Sequence, residues 1–249
     1  MRSFLRILLL TVTIISYVTR LQAQAKTIEP ANKTPLIDRE ILMGNPEISG
    51  GQLSPDGKFI SFLKPYKGTL NIFVKKTGEA FDKAKQLTDN ERPVRAYFWS
   101  SDGKFILYLK DKGGNENNNI YAVNPLDSPD KTTGIPPGRN LTPNDKIAAQ
   151  IFSVSKKDPD IMMIGLNDRD PKWHDLYRLS ISTGKLEKIR ENNDRISGWV
   201  FDWNEIARLA VRSTEDGSTE ILHIDENGKF TKVYEVGPLE TASPLSFSD

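Results

Sequence analysis

The 249 residues contain no cysteine. Disulfides, thiolate chemistry and cysteine-based zinc sites are excluded, and so is a lipid anchor that needs a cysteine at its cleavage point. Histidine is scarce, with only His174 and His223 present. An excess of charge is also lacking: 34 basic residues face 33 acidic ones, net +1, and the basic residues are dispersed. Nothing in that pattern supports a nucleic-acid or polyanion partner. Long amphipathic helices between the apolar segments are missing, which argues against a doubly wound α/β fold. No apolar run is comfortably long enough to span a membrane.

The longest such run, Ile7 to Val18, is broken by Thr11, Thr13 and Ser16. It follows Arg2 and Arg6 and precedes Ala23-Gln24-Ala25. A charged start, a short apolar stretch and a small-x-small site make residues 1–25 a secretory signal peptide cut after Ala25. The alternative is an uncleaved anchor. Loss of a leader with three arginines and no acid turns the net charge to about −2. Export without disulfides suits a domain held by its core. The expected location is the periplasm or the cell exterior, with no membrane contact after cleavage. Residues 26–46 form a polar lead-in, with a short helix expected from Asp38, as N-cap, to Met43 before Gly44.

From residue 47 onward one pattern recurs. Ser54-Pro55-Asp56-Gly57-Lys58-Phe59-Ile60 returns as Ser100-Ser101-Asp102-Gly103-Lys104-Phe105-Ile106. Each unit has an apolar strand, a turn, a second apolar strand, a variable loop, a third strand opening on a polar residue, and a short fourth strand. The third strands begin at Asn71, Asn119, Asp175 and Glu220. The second strands, such as Phe105 to Leu109 and Ile161 to Ile164, are apolar on both faces, as strands wedged between two layers must be. The period is 46 residues from Asp56 to Asp102 and 47 from Asp202 to Asp249. Four strands repeating at about 45 residues predict an all-β fold, a β-propeller of four-stranded antiparallel blades. Blades are expected over 47–93, 94–146, 147–194 and 195–242, with a fifth begun at 243–249. An array that stops inside a turn reads as part of a larger ring.

These residues resemble a known family. The run Ile37-Asp38-Arg39-Glu40-Ile41-Leu42-Met43-Gly44-Asn45-Pro46, followed by Gln52 to Lys58, is similar to the start of the propeller in bacterial prolyl oligopeptidase family serine peptidases of the acylaminoacyl peptidase and dipeptidyl aminopeptidase type. Tyr97-Phe98-Trp99-Ser100 and Tyr108 to Lys112 resemble its second blade. The most specific stretch is Gly165-Leu166-Asn167-Asp168-Arg169-Asp170-Pro171 with His174-Asp175-Leu176-Tyr177 and Thr183-Gly184. The resemblance implies about seven blades, of which about four are present here, capping a C-terminal α/β-hydrolase domain that holds the nucleophile, acid and histidine. It implies a peptide substrate and that hydrolase domain as partners.

No Gly-x-Ser-x-Gly elbow occurs. His223 reads as a strand-packing residue, and His174 cannot relay to Asp175, because strand neighbours point to opposite faces. No catalytic residue is therefore expected within this chain. The segment Asn167-Asp168-Arg169-Asp170 reads as a charged loop. It contacts either peptide substrate or the hydrolase domain, or else it is an internal brace with Arg169 paired locally. Trp173 beside it is a candidate for substrate contact, and Glu116 in the amide-rich loop Asp111 to Asn119 joins the same group. That loop lacks the ligand pattern of a calcium site. Trp99, Trp199 and Trp203 are read as inter-blade packing. No metal or cofactor is implied. The competing function is a non-enzymatic, TolB-like periplasmic binding scaffold; a third possibility is a broken gene whose product has no role.

Overall fold

The computed structural model describes residues 36–44 and 46–247. The leader 1–25, with Ala23 and Ala25, and the final Asp249 lie outside the described residues. The chain divides into two units, one ending at Gly44 and one starting at Asn45. In the first, α1 (Arg39–Met43) is capped by Asp38, whose carboxylate accepts from the Glu40 N–H at 2.9 Å. That bond satisfies one of the amides that a helix start leaves unpaired.

The second unit holds four four-stranded antiparallel sheets, each in simple sequence order. The first is β1 (Ser49–Leu53), β2 (Phe59–Tyr66), β3 (Thr69–Lys76) and β4 (Lys85–Gln86). The second is β5 (Tyr97–Trp99), β6 (Ile106–Lys110), β7 (Asn119–Val123) and β8 (Arg139–Asn140). The third is β9 (Ala149–Val154), β10 (Ile161–Asp170), β11 (Trp173–Ser180) and β12 (Leu186–Arg190). The fourth is β13 (Ile196–Phe201), β14 (Ala207–Ser213), β15 (Thr219–Ile224) and β16 (Phe230–Val236).

The repeated turn has one chemistry in both copies. Ser54 Oγ donates to Asp56 Oδ1 at 2.7 Å and accepts from the Phe59 N–H at 2.9 Å. Ser100 Oγ does the same with Asp102 at 2.7 Å and Phe105 at 3.0 Å. Gly57 and Gly103 close the turns at φ 71° and 70°, a region costly for side chains with a Cβ. The Ser54 hydroxyl, then Lys58, hold the Asp56 carboxyl down at about 2.

Alternation along the strands explains why second strands are apolar on both faces. Ile106 packs into a core between the first and second sheets, with Ile72, Val74, Leu87 and Trp99. Its neighbour Leu107 packs into a different core between the second and third, with Leu141, Met162, Ile164 and Leu179. Met162 and Met163 divide likewise, Met163 joining a third core with Trp199, Ala210 and Leu222. Each fully buried side chain of this size contributes roughly 1.5–3 kcal/mol. Among the described residues no such core joins the fourth sheet to the first.

Polar bonds reinforce each junction. Trp99 Nε1 donates to Ser61 Oγ at 2.9 Å, and the Tyr97 hydroxyl to the Gly50 carbonyl at 2.6 Å. The Arg139 guanidinium donates to the Ile181 and Ser182 carbonyls. Arg190 donates to the Gly228 carbonyl at 2.8 Å and lies over Phe230. Trp99 and Trp199 are buried at junctions, as their positions predict, but Trp203 is 51% exposed. It sits in the β13–β14 turn with the Lys156 ammonium 5.3 Å from its ring. His223 also departs from expectation. It lies on the exposed side of β15, between Leu222 and Ile224, which point into the core.

Candidate functional site

Because the four strands alternate in direction, the second-to-third-strand hairpins and the sheet-to-sheet connections share one end of the array. All the candidate residues fall at that end, and β1 also begins there. The third-sheet hairpin carries most of them. Asn167 to Asp170 form the end of β10 and not a loop: the strand runs on to Asp170, which pairs with Trp173, and only Pro171 and Lys172 turn. The reason is local hydrogen bonding. Asn167 Oδ1 accepts from the Ala148 N–H at 2.6 Å, and its Nδ2 donates to the Pro171 carbonyl at 3.2 Å. Asp168 accepts from the Tyr177 hydroxyl at 2.7 Å, and Asp170 from the Lys172 N–H at 2.9 Å.

Arg169 is held by Asp175. Its Nε and Nη2 reach the two carboxylate oxygens at 2.9 and 2.8 Å, and Nη2 also donates to the Asn192 carbonyl at 3.1 Å. Lys188 Nζ adds a contact at 3.1 Å. The Asp175 side chain is fully buried while Arg169 is 32% exposed. Burial alone would push the Asp175 carboxyl up; the Arg169 guanidinium, the Asn192 N–H and Lys188 outweigh it and hold it at about 2.

The other sheets explain this cluster. Asn71 Oδ1 accepts from the Asn90 N–H at 2.7 Å, and Asn119 Oδ1 from the Asn144 N–H at 3.1 Å. Asp175 Oδ1 accepts from the Asn192 N–H at 2.8 Å. The first buried residue of each of these third strands fastens the connection to the next sheet. In the third sheet that residue is a carboxylate, and a buried carboxylate needs counter-charges. The signal for this in the sequence is an aspartate where the two preceding third strands have asparagine.

Trp173 is half-buried, with the Arg195 guanidinium 5.8 Å from its ring. Arg195 has φ 61° and pairs at 3.0 Å with Glu215, whose side chain is 91% exposed. Glu116 also has a positive φ, 61°. It lines a cleft of about 230 Å³ with Arg92, Arg95, Lys110, Asp111 and Asn118. Arg92 Nε lies 3.3 Å from Asp111. The carboxylate of Glu116 and the guanidinium of Arg95 have no ion-pair partner among the described residues. The end therefore combines a rigid hairpin with free charges of both signs, and Glu116 is not joined to the Trp173 group by any contact. Among the described residues no cluster suited to a metal ion occurs.

Four sheets stacked through shared cores in chain order, with their hairpins gathered at one end, are blades of a β-propeller. No protein-family model matches the chain. It is 35% identical over 226 residues to dipeptidyl aminopeptidase BIII of Pseudoxanthomonas mexicana, covering 90% of this chain and 32% of that protein. It is 29% identical over 187 residues to dipeptidyl peptidase family member 6 of Caenorhabditis elegans, covering 73% of this chain and 24% of that protein. Among solved structures, prolyl oligopeptidase B from Galerina marginata superposes with a TM-score of 0.53 at 15% identity, over 77% of this chain and 28% of that one. That likeness bears on the fold alone. In sequence the chain is similar to dipeptidyl peptidases and in fold to the propeller portion of a prolyl oligopeptidase, which together support a propeller portion of a prolyl oligopeptidase family peptidase. It spans about a third of the length of the first of these relatives.

Proposed function

We propose that this chain is the propeller part of an exported serine peptidase that hydrolyses short peptides, and that the propeller limits which peptides reach a hydrolase domain encoded in the same polypeptide. The observation that carries the reading is the 35% identity along nine-tenths of the chain to a dipeptidyl aminopeptidase. The chain's own residues supply no nucleophile elbow, so the serine, histidine and aspartate of an acyl-enzyme route belong to that other domain. What these residues contribute is steric and electrostatic selection.

Two features support that role. The candidate residues of the second and third sheets gather at one end of the array, so a single face carries them. The unpaired Glu116 and Arg95 line one cleft there, and charges of both signs suit the termini of a short peptide. Trp173 offers an aromatic face at the same end. The leader, residues 1–25, directs the protein to the periplasm or beyond.

The test is expression of the whole reading frame in a bacterial host. Fractionation, N-terminal sequencing and assay on dipeptidyl chromogenic substrates follow. Expected are a mature terminus at Lys26, an extracytoplasmic location and release of the chromophore that is lost with the active-site serine. A reading frame without a hydrolase region, or an intact protein inert on short peptides, refutes the peptidase and favours a binding scaffold.

A further inference from the structure

His174, half-buried, stands just before the buried part of β11 and takes no part in the role proposed above. Its Nε2 is buried and has no hydrogen-bond partner among the described residues. The ring's remaining polar contact is with the backbone of Ala148, in the connection between the second and third sheets. The same Ala148 bonds Asn167 twice, its N–H to Asn167 Oδ1 at 2.6 Å and its carbonyl to the Asn167 N–H at 3.4 Å. The His174 carbonyl accepts from Asn192 Nδ2 at 3.2 Å. Packing around the residue is tight. A Cβ added at Gly165, across β10, would stand 2.8 Å from the His174 Cβ and 2.7 Å from the Phe152 ring. The imidazole thus sits where the hairpin, the connection and β9 meet.

We infer that His174 is an acid-sensitive latch: protonation at its buried Nε2 releases the hairpin that carries Asn167 to Trp173. A second proton on the ring would put a charge and an N–H at a site with no acceptor. The ring then has to leave, and the contact with Ala148 goes with it. Burial accordingly holds the imidazole below its ordinary value, opposed only by the Ala148 backbone.

The charged groups of the surrounding elements do not offset this. On the hairpin, Asp175 is taken by Arg169 and Lys188, Asp168 by Tyr177, and Asp170 by the Lys172 N–H. In the connection Asp145 pairs with Lys112, and Lys146 carries the wrong sign. After β12, Glu191 lies near Lys188 and Arg195 pairs with Glu215, and the half-buried Asp194 stands in the same connection. β9 carries no titratable side chain. The inference concerns the regulation of the end assigned to peptide selection and rests on that reading for its biological use, though the latch itself is a property of the sheet.

The sign follows from linkage. A base whose proton affinity is lower in the closed form favours opening as pH falls below its ordinary value, near 6.5. Opening that takes up one proton gains up to about tenfold per pH unit in that window. The experiment is an NMR titration of the His174 ring, with amide-exchange protection factors for residues 161–180 measured from pH 7.5 to 5. The chain itself is compared with His174→Phe and His174→Gln, so that one poorly packed variant does not decide the outcome. Expected is ring titration below the ordinary value, with protection of the hairpin amides falling toward low pH in the parent and flat in both variants. Titration at or above the ordinary value, or the same acid loss in both variants, overturns the latch. Peptidase assays play no part, so the latch can fail while the peptidase reading stands.

Discussion

Replacing Arg169 tests whether its guanidinium serves the fold or a ligand. In Arg169→Met the fully buried Asp175 keeps Lys188 and the Asn192 N–H but loses its forked partner. Removing one member of a buried ion pair costs about 3–5 kcal/mol. Arg169 is a third exposed and Lys188 remains, so the expected loss is smaller, about 2–3 kcal/mol. Asp175→Asn keeps an oxygen for the Asn192 N–H, as Asn71 and Asn119 do for their connections, and removes the charge. In that background Arg169→Met should cost less than about 1 kcal/mol. Urea denaturation of the parent, both single variants and the double variant completes the cycle, with an expected coupling of about 1–3 kcal/mol. Acid adds a second readout. Asp175 is held at about 2, below the unfolded carboxylate range, so its contribution is present above about pH 4 and lost as pH falls toward 2. Without Arg169 that carboxyl titrates higher, and acid unfolding begins at a higher pH. If Arg169→Met costs the same in both backgrounds, neutralisation of Asp175 is not its task, and a role toward substrate regains ground.

Other substitutions probe the shared cores. Ile106→Ala and Leu107→Ala, adjacent in sequence but fully buried in different cores, should each lose about 2–5 kcal/mol in chemical denaturation. A near-neutral result for either would contradict the two-sided packing of β6. Gly165→Ala should destabilise by about 1–3 kcal/mol, because its new methyl meets Phe152 and His174, and a thermal melt unchanged from the parent would refute the close approach. In the peptidase proposed above, Glu116→Gln should leave the melt within about 0.5 kcal/mol of the parent, Trp173→Ala should cost about 1–2 kcal/mol for its half-buried ring, and both should raise KM for short peptides. Unchanged KM in both would remove them from substrate contact.

Most of the fold was legible in the sequence because turn chemistry and strand period agree. The Ser-x-Asp-Gly turns mark the starts of second strands, and the polar openings of the third strands align Asn71, Asn119 and Asp175. The uses of individual side chains were less legible. Asn167 to Asp170 look like a loop by composition, since three acids or amides and an arginine in four residues suit solvent; partners from Ala148, Tyr177 and Asp175 make them strand. Those partners lie across the hairpin and in the preceding connection, six to nineteen residues away, which spacing alone does not reveal. Trp203 was read by analogy with Trp99, yet it occupies the turn and not the strand before it. His223 fits a strand pattern whose outer side is left uncovered. Arg195 and Arg95 drew no attention, because a single exposed arginine has no periodic signature.

The division of labour along β6 and β10 bears on how the polypeptide matures. Since each interior sheet is completed by the one encoded next, a nascent chain emerging from the ribosome holds a greasy surface in waiting until another 45 or so residues have been made. Synthesis in order then works as a template, each finished layer offering the floor on which its successor condenses. A pause or a chaperone acting at those intervals would guard the open layer, and an insertion that delays the next layer would be felt first as misfolding of the one before it.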